Sequence, residues 1–179
     1  MPRYYDHLES RDPRDRDAAM AVQLPAAIRR AKSAPALARL LGDIDPRVVT
    51  GRAALAELPV VRKADLSEAQ KISPPFGGYT TRSAAEFDHV FQSPGPIYEP
   101  GRREGDWWRL GRFLHAAGVG RGDIVQNCFG YHLTPAGHMM EAGAHACGCT
   151  VVPAGVGNTE LQVRAIADIK PTGYAGTPS

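Results

Sequence analysis

No stretch of this sequence approaches the roughly 18 unbroken apolar residues that a membrane-crossing helix needs, so nothing in it is expected to span a bilayer as a helix. Cysteine is scarce and odd in number, with only Cys128, Cys147 and Cys149. The opening Met-Pro-Arg-Tyr-Tyr-Asp-His has no apolar core of the kind a secretory signal carries. An odd set of thiols without an export signal predicts reduced cysteines and a cytoplasmic location. An excess of charge of one sign is missing too. The chain has 21 Lys and Arg against 19 Asp and Glu, interspersed, for a net charge of +2. No dense basic face results, and nucleic acid is not an expected partner. No internal repeat of fixed period is visible, which argues against a solenoid.

What is present suits an ordinary folded domain. Of 179 residues, 43% are hydrophobic and 22% charged, enough for one domain with a real core. The most informative stretch runs from Asp123 to Thr159. It reads as strand (Ile124–Cys128), loop, helix (about 135–147), strand (Thr150-Val-Val), glycine loop, and a further helix opening at Thr159. Gly173-Tyr-Ala then starts a third strand. That order predicts an α/β fold whose parallel strands are joined by crossover helices. The loops after the first two strands should share one edge of the sheet, the edge where such folds bind ligands. A parallel sheet stopping on its third strand is incomplete, and the sequence is expected to be a cut-off piece.

The chain before that unit is expected to be a helical preamble over residues 1–72, followed by an incomplete α/β subdomain over 73–179. Asp12 before Pro13 is a helix start. Pro25 and Pro35 are expected to break the Ala- and Leu-rich run that ends at Gly42. Thr50 is expected to cap a helix that turns Leu55 and Leu58 inward. Another short helix begins near Val60. Residues 73–101, rich in Gly and Pro, predict short strands and tight turns, with Val90-Phe91 the best strand. A helix over 105–118 should place Trp107, Leu110, Phe113, Leu114 and Ala117 on one face and leave Trp108 toward the polar side. The helix after the first strand should set Leu133, Ala136, Met140, Gly143, Ala144 and Cys147 against the sheet. Thr159 with Gln162 reads as a capping box, ahead of an apolar row of Leu161, Val163, Ile166 and Ile169.

Four constellations carry possible chemistry. Ser93-Pro-Gly-Pro-Ile-Tyr-Glu-Pro100 is a compact loop. A phosphate cradle needs free backbone N–H groups, and Pro94, Pro96 and Pro100 have none, so a rigid turn is favoured over a cradle. Gly155-Val-Gly157-Asn-Thr159, with Glu160 behind it, could meet an anion at a helix N-terminus, and a tight turn explains it as well. Phe129, Tyr131 and His132, at the carboxyl end of a strand, could wall a flat substrate pocket or simply pack the domain. His138, Glu141 and His145 share a helix face at steps of three and four, which is zinc-like spacing. They lie opposite the apolar stripe, so a solvated polar face is the better account, and no metal site is assigned.

These residues bring a family into view. Asn127-Cys-Phe-Gly-Tyr-His-Leu-Thr-Pro-Ala-Gly resembles the Asn-x-Tyr/Phe-Gly-Tyr-Gly-Leu-Phe-x-Gly-Gly stretch of phenylacetate–CoA ligases. Val152-Pro-Ala-Gly-Val-Gly-Asn-Thr-Glu-Leu-Gln162, with Ile169-Lys-Pro-Thr and Thr177-Pro-Ser, is similar to the family's downstream run. Tyr4-Tyr5-Asp and Leu58-Pro-Val-Val-Arg-Lys-Ala-Asp-Leu66 fit its N-terminal region. The resemblance implies part of the large N-terminal domain of an AMP-forming adenylating enzyme. Such an enzyme activates an aryl or acyl carboxylate, possibly an arylacetate, with MgATP to an acyl-adenylate and passes it to coenzyme A. It implies a phosphate-loop remnant at Ser93, Gly95 and Pro100. There Pro96 and Ile97 replace two threonines and Tyr98 a glycine, which removes both hydroxyls and adds bulk where a triphosphate would lie. It implies a substrate pocket at Phe129, Tyr131, His132 and Thr134, with Thr134 standing where the family has phenylalanine. The glycine loop carries over as Gly155, Gly157, Thr159 and Glu160. The family's adenine loop, ribose-binding aspartate and catalytic lysine have no counterpart in these residues, so no catalytic residue is assigned and no turnover is expected of them alone. The competing readings are a non-catalytic acyl- or CoA-binding module and a zinc-binding structural protein.

Overall fold

A computed structural model describes residues 3–177; Pro178 and Ser179, which close the Thr-Pro-Ser run, lie outside the described residues. The chain divides into two compact units. One comprises Ser10–Phe87 with Pro94–Glu99, and the other the segment through Glu9, Asp88–Ser93 and the chain from Pro100 onward. The boundaries between these units fall near residues 9, 87, 93 and 99.

The first unit is helical. Helix α1 (Pro13–Ala31) starts at Asp12, whose side chain accepts the Arg14 N–H at 2.7 Å, with Pro13 in the first turn. Pro25 does not break it. The carbonyl that Pro25 leaves unpaired belongs to Ala21, an exposed residue, so water can satisfy it. Pro35 does open a new helix, α2 (Pro35–Leu41), and Gly42 ends it at φ 49°. Helix α3 (Arg52–Ala56) is capped by Gly51, not Thr50, and Leu55 is 42% exposed. Leu58 does pack inward, against a core of Ile28, Leu41 and Val49. Helix α4 (Lys63–Ile72) follows, with Asp65 accepting the Arg62 N–H at 3.1 Å. Phe76 and Phe87 meet edge to face at 5.7 Å.

Residues 89–101 form β1 (His89–Ser93) and β2 (Ile97–Gly101), a two-stranded sheet. Of the stretch expected as a compact loop over 93–100, residues 94–96 form a tight turn, Ser93 ends β1 and residues 97–100 belong to β2.

The second unit is the α/β one. Helix α5 (Leu110–Ala116) is shorter than the periodicity predicts. Arg109 sits at φ 59°, and the Asp106 carboxylate takes the N–H groups of Leu110 at 2.8 Å and Gly111 at 2.7 Å. That capping starts the helix late and leaves Trp107 and Trp108 in the turn before it. Leu114 is buried, while Phe113 is 59% exposed. The N-terminal segment straps this helix: Arg112 pairs with Asp6 and Glu9 and lies over the Tyr5 ring.

Three parallel strands follow, β3 (Ile124–Asn127), β4 (Thr150–Pro153) and β5 (Gly173–Ala175), in the order β4-β3-β5. Helix α6 (Ala136–Ala146) joins the first pair and α7 (Thr159–Ile169) carries the chain to β5. Alternation along β3 sends Val125 and Asn127 toward α6 and Gln126 toward α7, where its amide reaches the Gln162 carbonyl at 3.5 Å. Leu114, Val125, Ala144, Cys149 and Ala175 form the core, with Phe129, Met140, Cys147 and Val151 around it. Leu133, expected against the sheet, is instead 68% exposed in a left-handed turn at φ 59°. The apolar row of α7 is present but open, with Leu161 65% and Val163 60% exposed.

Helices α5 and α6 approach each other closely at Gly143. A Cβ there would lie 2.7 Å from the Leu110 Cβ and 3.1 Å from the Leu110 carbonyl carbon. Alanine would add helix propensity worth about 1 kcal/mol, but the clash with backbone should outweigh it. Gly143→Ala should lower unfolding free energy in urea by about 1–3 kcal/mol, and an unchanged or raised midpoint would contradict the close packing of α5 on α6.

Candidate functional site

Parallel pairing puts the carboxyl ends of β3, β4 and β5 on one edge of the sheet. The loops that leave β3 and β4 meet there. The Gly155 N–H donates to the Asn127 carbonyl at 3.0 Å, and positions for a Cβ on Gly155 and Gly130 lie 3.9 Å from Tyr131 and Val156 respectively. Asn127 organises the first loop. Its amide nitrogen donates to the Tyr131 Oη and the Gly137 carbonyl, both at 2.8 Å, and its Oδ1 accepts the Phe129 N–H at 3.2 Å. Only 1% of the residue is exposed.

The predicted pocket residues take different positions around this hub. Phe129 is half-buried, packs on the core, and borders a 530 Å³ groove lined also by Leu114, Val125, Met140 and Tyr174. Tyr131 lies against Gly137, where a Cβ would be only 2.8 Å from its ring, and its hydroxyl donates to Glu141 Oε2 at 2.7 Å. Burial, then the bond and charge of Glu141, hold its phenol neutral far above the ordinary tyrosine range. His132 is exposed, and its side chain makes no hydrogen bond among the described residues. Thr134 is half-buried and donates its hydroxyl to the Gly130 carbonyl at 3.2 Å. The Gln92 N–H donates to the Leu133 carbonyl at 2.8 Å, which ties β1 to this loop.

In the second loop Gly155 and Gly157 sit at φ 67° and 80°, where only glycine is unstrained. Thr159 is not the cap of α7. Asn158 holds that place at φ 50°, without a side-chain cap, and Thr159 and Glu160 are its exposed first residues. Gln162 reaches back past Thr159. Its Nε2 donates to the carbonyls of Gly155 at 2.9 Å and Gly157 at 2.6 Å, and its Oε1 accepts from the Cys128 thiol at 3.2 Å. Cys128, Gln162, Tyr174 and the glycine loop line a small cavity of 160 Å³. The hydrogen bond with Cys128 raises the Tyr174 phenol. Tyr174 is the residue that sequence reasoning missed here, while Gln162 and Glu141 take partners other than the cap and the metal-like face their spacing suggests. Nothing in their local pattern marks which distant partner each one finds.

The turn between β1 and β2 does not offer a triphosphate cradle. Pro94, Pro96 and Pro100 have no N–H. The Tyr98 N–H donates to Gln70 Oε1 and its carbonyl accepts from Gln70 Nε2, both at 2.8 Å. Gly95, at φ 153°, leaves a Cβ position 3.2 Å from Ile97. Ser93 is buried at the end of β1.

The comparisons can now be set beside this geometry. No protein-family model matches the chain. A phenylacetate–coenzyme A ligase from Thermus thermophilus is 34% identical over 154 residues, 81% of this chain. One from Aromatoleum evansii is 32% identical over 76% of it, and one from Pseudomonas putida 33% over 70%. By sequence this chain is a homologue of the phenylacetate–coenzyme A ligases. It spans about a third of the length of these relatives (34%, 31% and 29%). The fold agrees. A crystal structure of 2-hydroxyisobutyryl-CoA ligase in the postadenylation state, in complex with R3-HIB-AMP, matches 93% of the chain at a TM-score of 0.82 and 26% identity, over 37% of its own length. The same ligase with 2-HIB-AMP and CoA in the thioesterification state matches at 0.81 and 25% identity, over 93% of this chain and 38% of its own. The mixed α/β architecture is that of the N-terminal domain of an adenylate-forming CoA ligase.

Of the zinc-like trio, His145 is exposed while His138 is turned into the unit. His138 is half-buried against His89 at 4.8 Å, Phe91 at 5.2 Å and Tyr131 at 5.1 Å between ring centres. His145 Nε2 lies 3.7 Å from Glu141. Among the described residues no group of three or more metal-ligating side chains converges. Burial, then His89 and Arg103, lower the pKa of His138 against the opposing pull of Glu141. Folding therefore favours its neutral form. Its contribution to stability is full above the ordinary histidine pKa of about 6.5 and is lost as pH falls through the lower folded value, because the unfolded chain then binds more protons. The loss of unfolding free energy between pH values of about 7 and 5.5 should be smaller in His138→Leu than in the parent chain, and equal slopes would contradict a neutral buried ring.

Proposed function

We propose that this chain carries the carboxylate-side part of an acid–CoA ligase. The enzyme would activate an aryl or acyl carboxylate, with phenylacetate-like acids first in line, to an acyl-adenylate and transfer it to coenzyme A. The observation that carries the reading is the meeting of the 127–134 and 153–159 loops at one carboxyl edge of a parallel sheet, in a chain whose relatives are CoA ligases. A rim of this kind is where open α/β sheets hold small ligands. Phe129 is the aromatic wall for the acid's ring, and Tyr131, locked between Asn127 and Glu141, holds the loop that carries it. ATP, Mg²⁺ and coenzyme A are the co-substrates this reading requires. The 93–100 turn, with its missing and occupied N–H groups, does not fit the triphosphate, so no step is assigned to it. None of the chain's own residues is given a catalytic role, and the adenylation chemistry is assigned to sequence that this third of the ligase length does not include.

That misfit favours one second reading, a module that binds the acid or coenzyme A without adenylating it. Calorimetry of the 179-residue chain with phenylacetate, coenzyme A and MgATP separates the two by which of them bind. In a full-length relative carrying the equivalent of Phe129, replacement by alanine or leucine should raise the KM for phenylacetate about tenfold while changing kcat little, and an unchanged KM would sink the pocket role. The 179-residue chain mixed with MgATP and phenylacetate should release no pyrophosphate, and steady release would contradict the division of labour proposed here.

A further inference from the structure

The α/β unit holds a second cavity, of 370 Å³, which the ligase reading does not use. It is lined by His89 from β1, Arg102 and Arg103 just after β2, Trp108 from the turn before α5, and His138, Glu141 and His145 from α6. Its charged groups are unequally engaged. Glu141 already accepts from the Tyr131 hydroxyl and faces His145. Among the described residues neither Arg102 nor Arg103 forms an ion pair. Asp88 takes only the backbone N–H of Arg103, at 3.1 Å. The Nδ1 of His89 is shielded from solvent and has no hydrogen-bond partner, although a buried polar nitrogen normally has one. The ring is fixed by stacking on Phe91 at 5.2 Å, and Phe91 in turn packs against Trp108 at 5.8 Å. The result is a half-open cavity with two guanidinium groups outside any ion pair, an unsatisfied imidazole and a flat indole. At His138, protonation is opposed first by burial and then by His89 and Arg103, against the opposite pull of Glu141.

We propose that this cavity binds a phosphate-bearing small molecule, with Arg102 and Arg103 on the phosphate oxygens and His89 and His138 as further N–H donors. Paired guanidinium groups match phosphate geometry better than any other side chain. The volume exceeds what one phosphate fills, and the Trp108 face suits a planar group attached to it. None of the cavity's lining residues belongs to the two strand-end loops, although His138 and Glu141 touch Tyr131 of the first, and the proposal does not depend on the ligase reading.

The test uses inorganic pyrophosphate as the probe and Trp108 fluorescence as the signal, in a Trp107→Phe background at low salt. A saturable change is expected. It should weaken at least tenfold in the Arg102→Ala/Arg103→Ala double variant and at least threefold in His138→Leu, with far-UV circular dichroism unchanged in both. Arg164→Ala, which removes an exposed arginine on α7, should bind like the parent. Binding at the 93–100 turn would survive His138→Leu. No saturable signal, parent-like affinity in either cavity variant, or an equal loss in Arg164→Ala would overturn the proposal.

Discussion

The loops at the carboxyl edge depend on one buried amide. Asn127 is the last residue of β3, and β-alternation turns its side chain into the interior beneath α6, where water cannot reach it. Both amide hydrogens and the amide oxygen must then find protein partners, and they do, in Tyr131, Gly137 and Phe129. Each such bond adds only about 1 kcal/mol net, but stranding a buried polar group costs about 1–3 kcal/mol. The loop has little freedom to choose another path. Gln126, one residue earlier and equally buried, makes the contrast plain. Its Oε1 has no partner and its amide nitrogen only long contacts, so it fixes nothing comparable.

The second loop is held differently. Its backbone carbonyls at Gly155 and Gly157 are tied down by Gln162 from the helix that follows, and its Gly155 N–H returns to the Asn127 carbonyl. Asn127 therefore serves one loop through its side chain and the other through its backbone. On the proposed reading, this rim presents ring faces and small side chains to a flat acid. It is poorly equipped for proton transfer, since neither loop pairs a nucleophile with a base. The chain spans about a third of its relatives' length, and in its 93–100 stretch both backbone groups of Tyr98 are already bonded to Gln70.

Legibility in the sequence followed the range of the interaction concerned. The Asp12–Pro13 start, the Gly42 stop and the strand–helix alternation from Ile124 onward are set within a few residues, and they were readable. The shared edge followed from topology alone, since parallel strands must end on the same side. What failed were the features decided at a distance or by solvent. Pro25 sits within α1 because its orphaned carbonyl faces water. The helix before β3 starts at Leu110 because Asp106 caps it, although the apolar spacing runs back to Trp107. Thr159 loses the cap position because a left-handed Asn158 takes it and Gln162 turns to the glycine carbonyls instead. His138 was read as solvated because its own helix gives no hint of His89, some fifty residues earlier. In each case periodicity described the element correctly enough and the partner supplied by another element decided the side chain's fate.

The central claim is that the Asn127 side chain, rather than the general packing of the domain, shapes the first loop. Backbone hydrogen exchange of Asn127→Leu, a change close to isosteric, tests it most directly. The account predicts that the Phe129 amide exchanges at least tenfold faster while the amides of β4 and of the middle of α6 keep the parent's protection. An unchanged Phe129 rate would contradict it, because the loop would then hold its shape without the bond assigned to it.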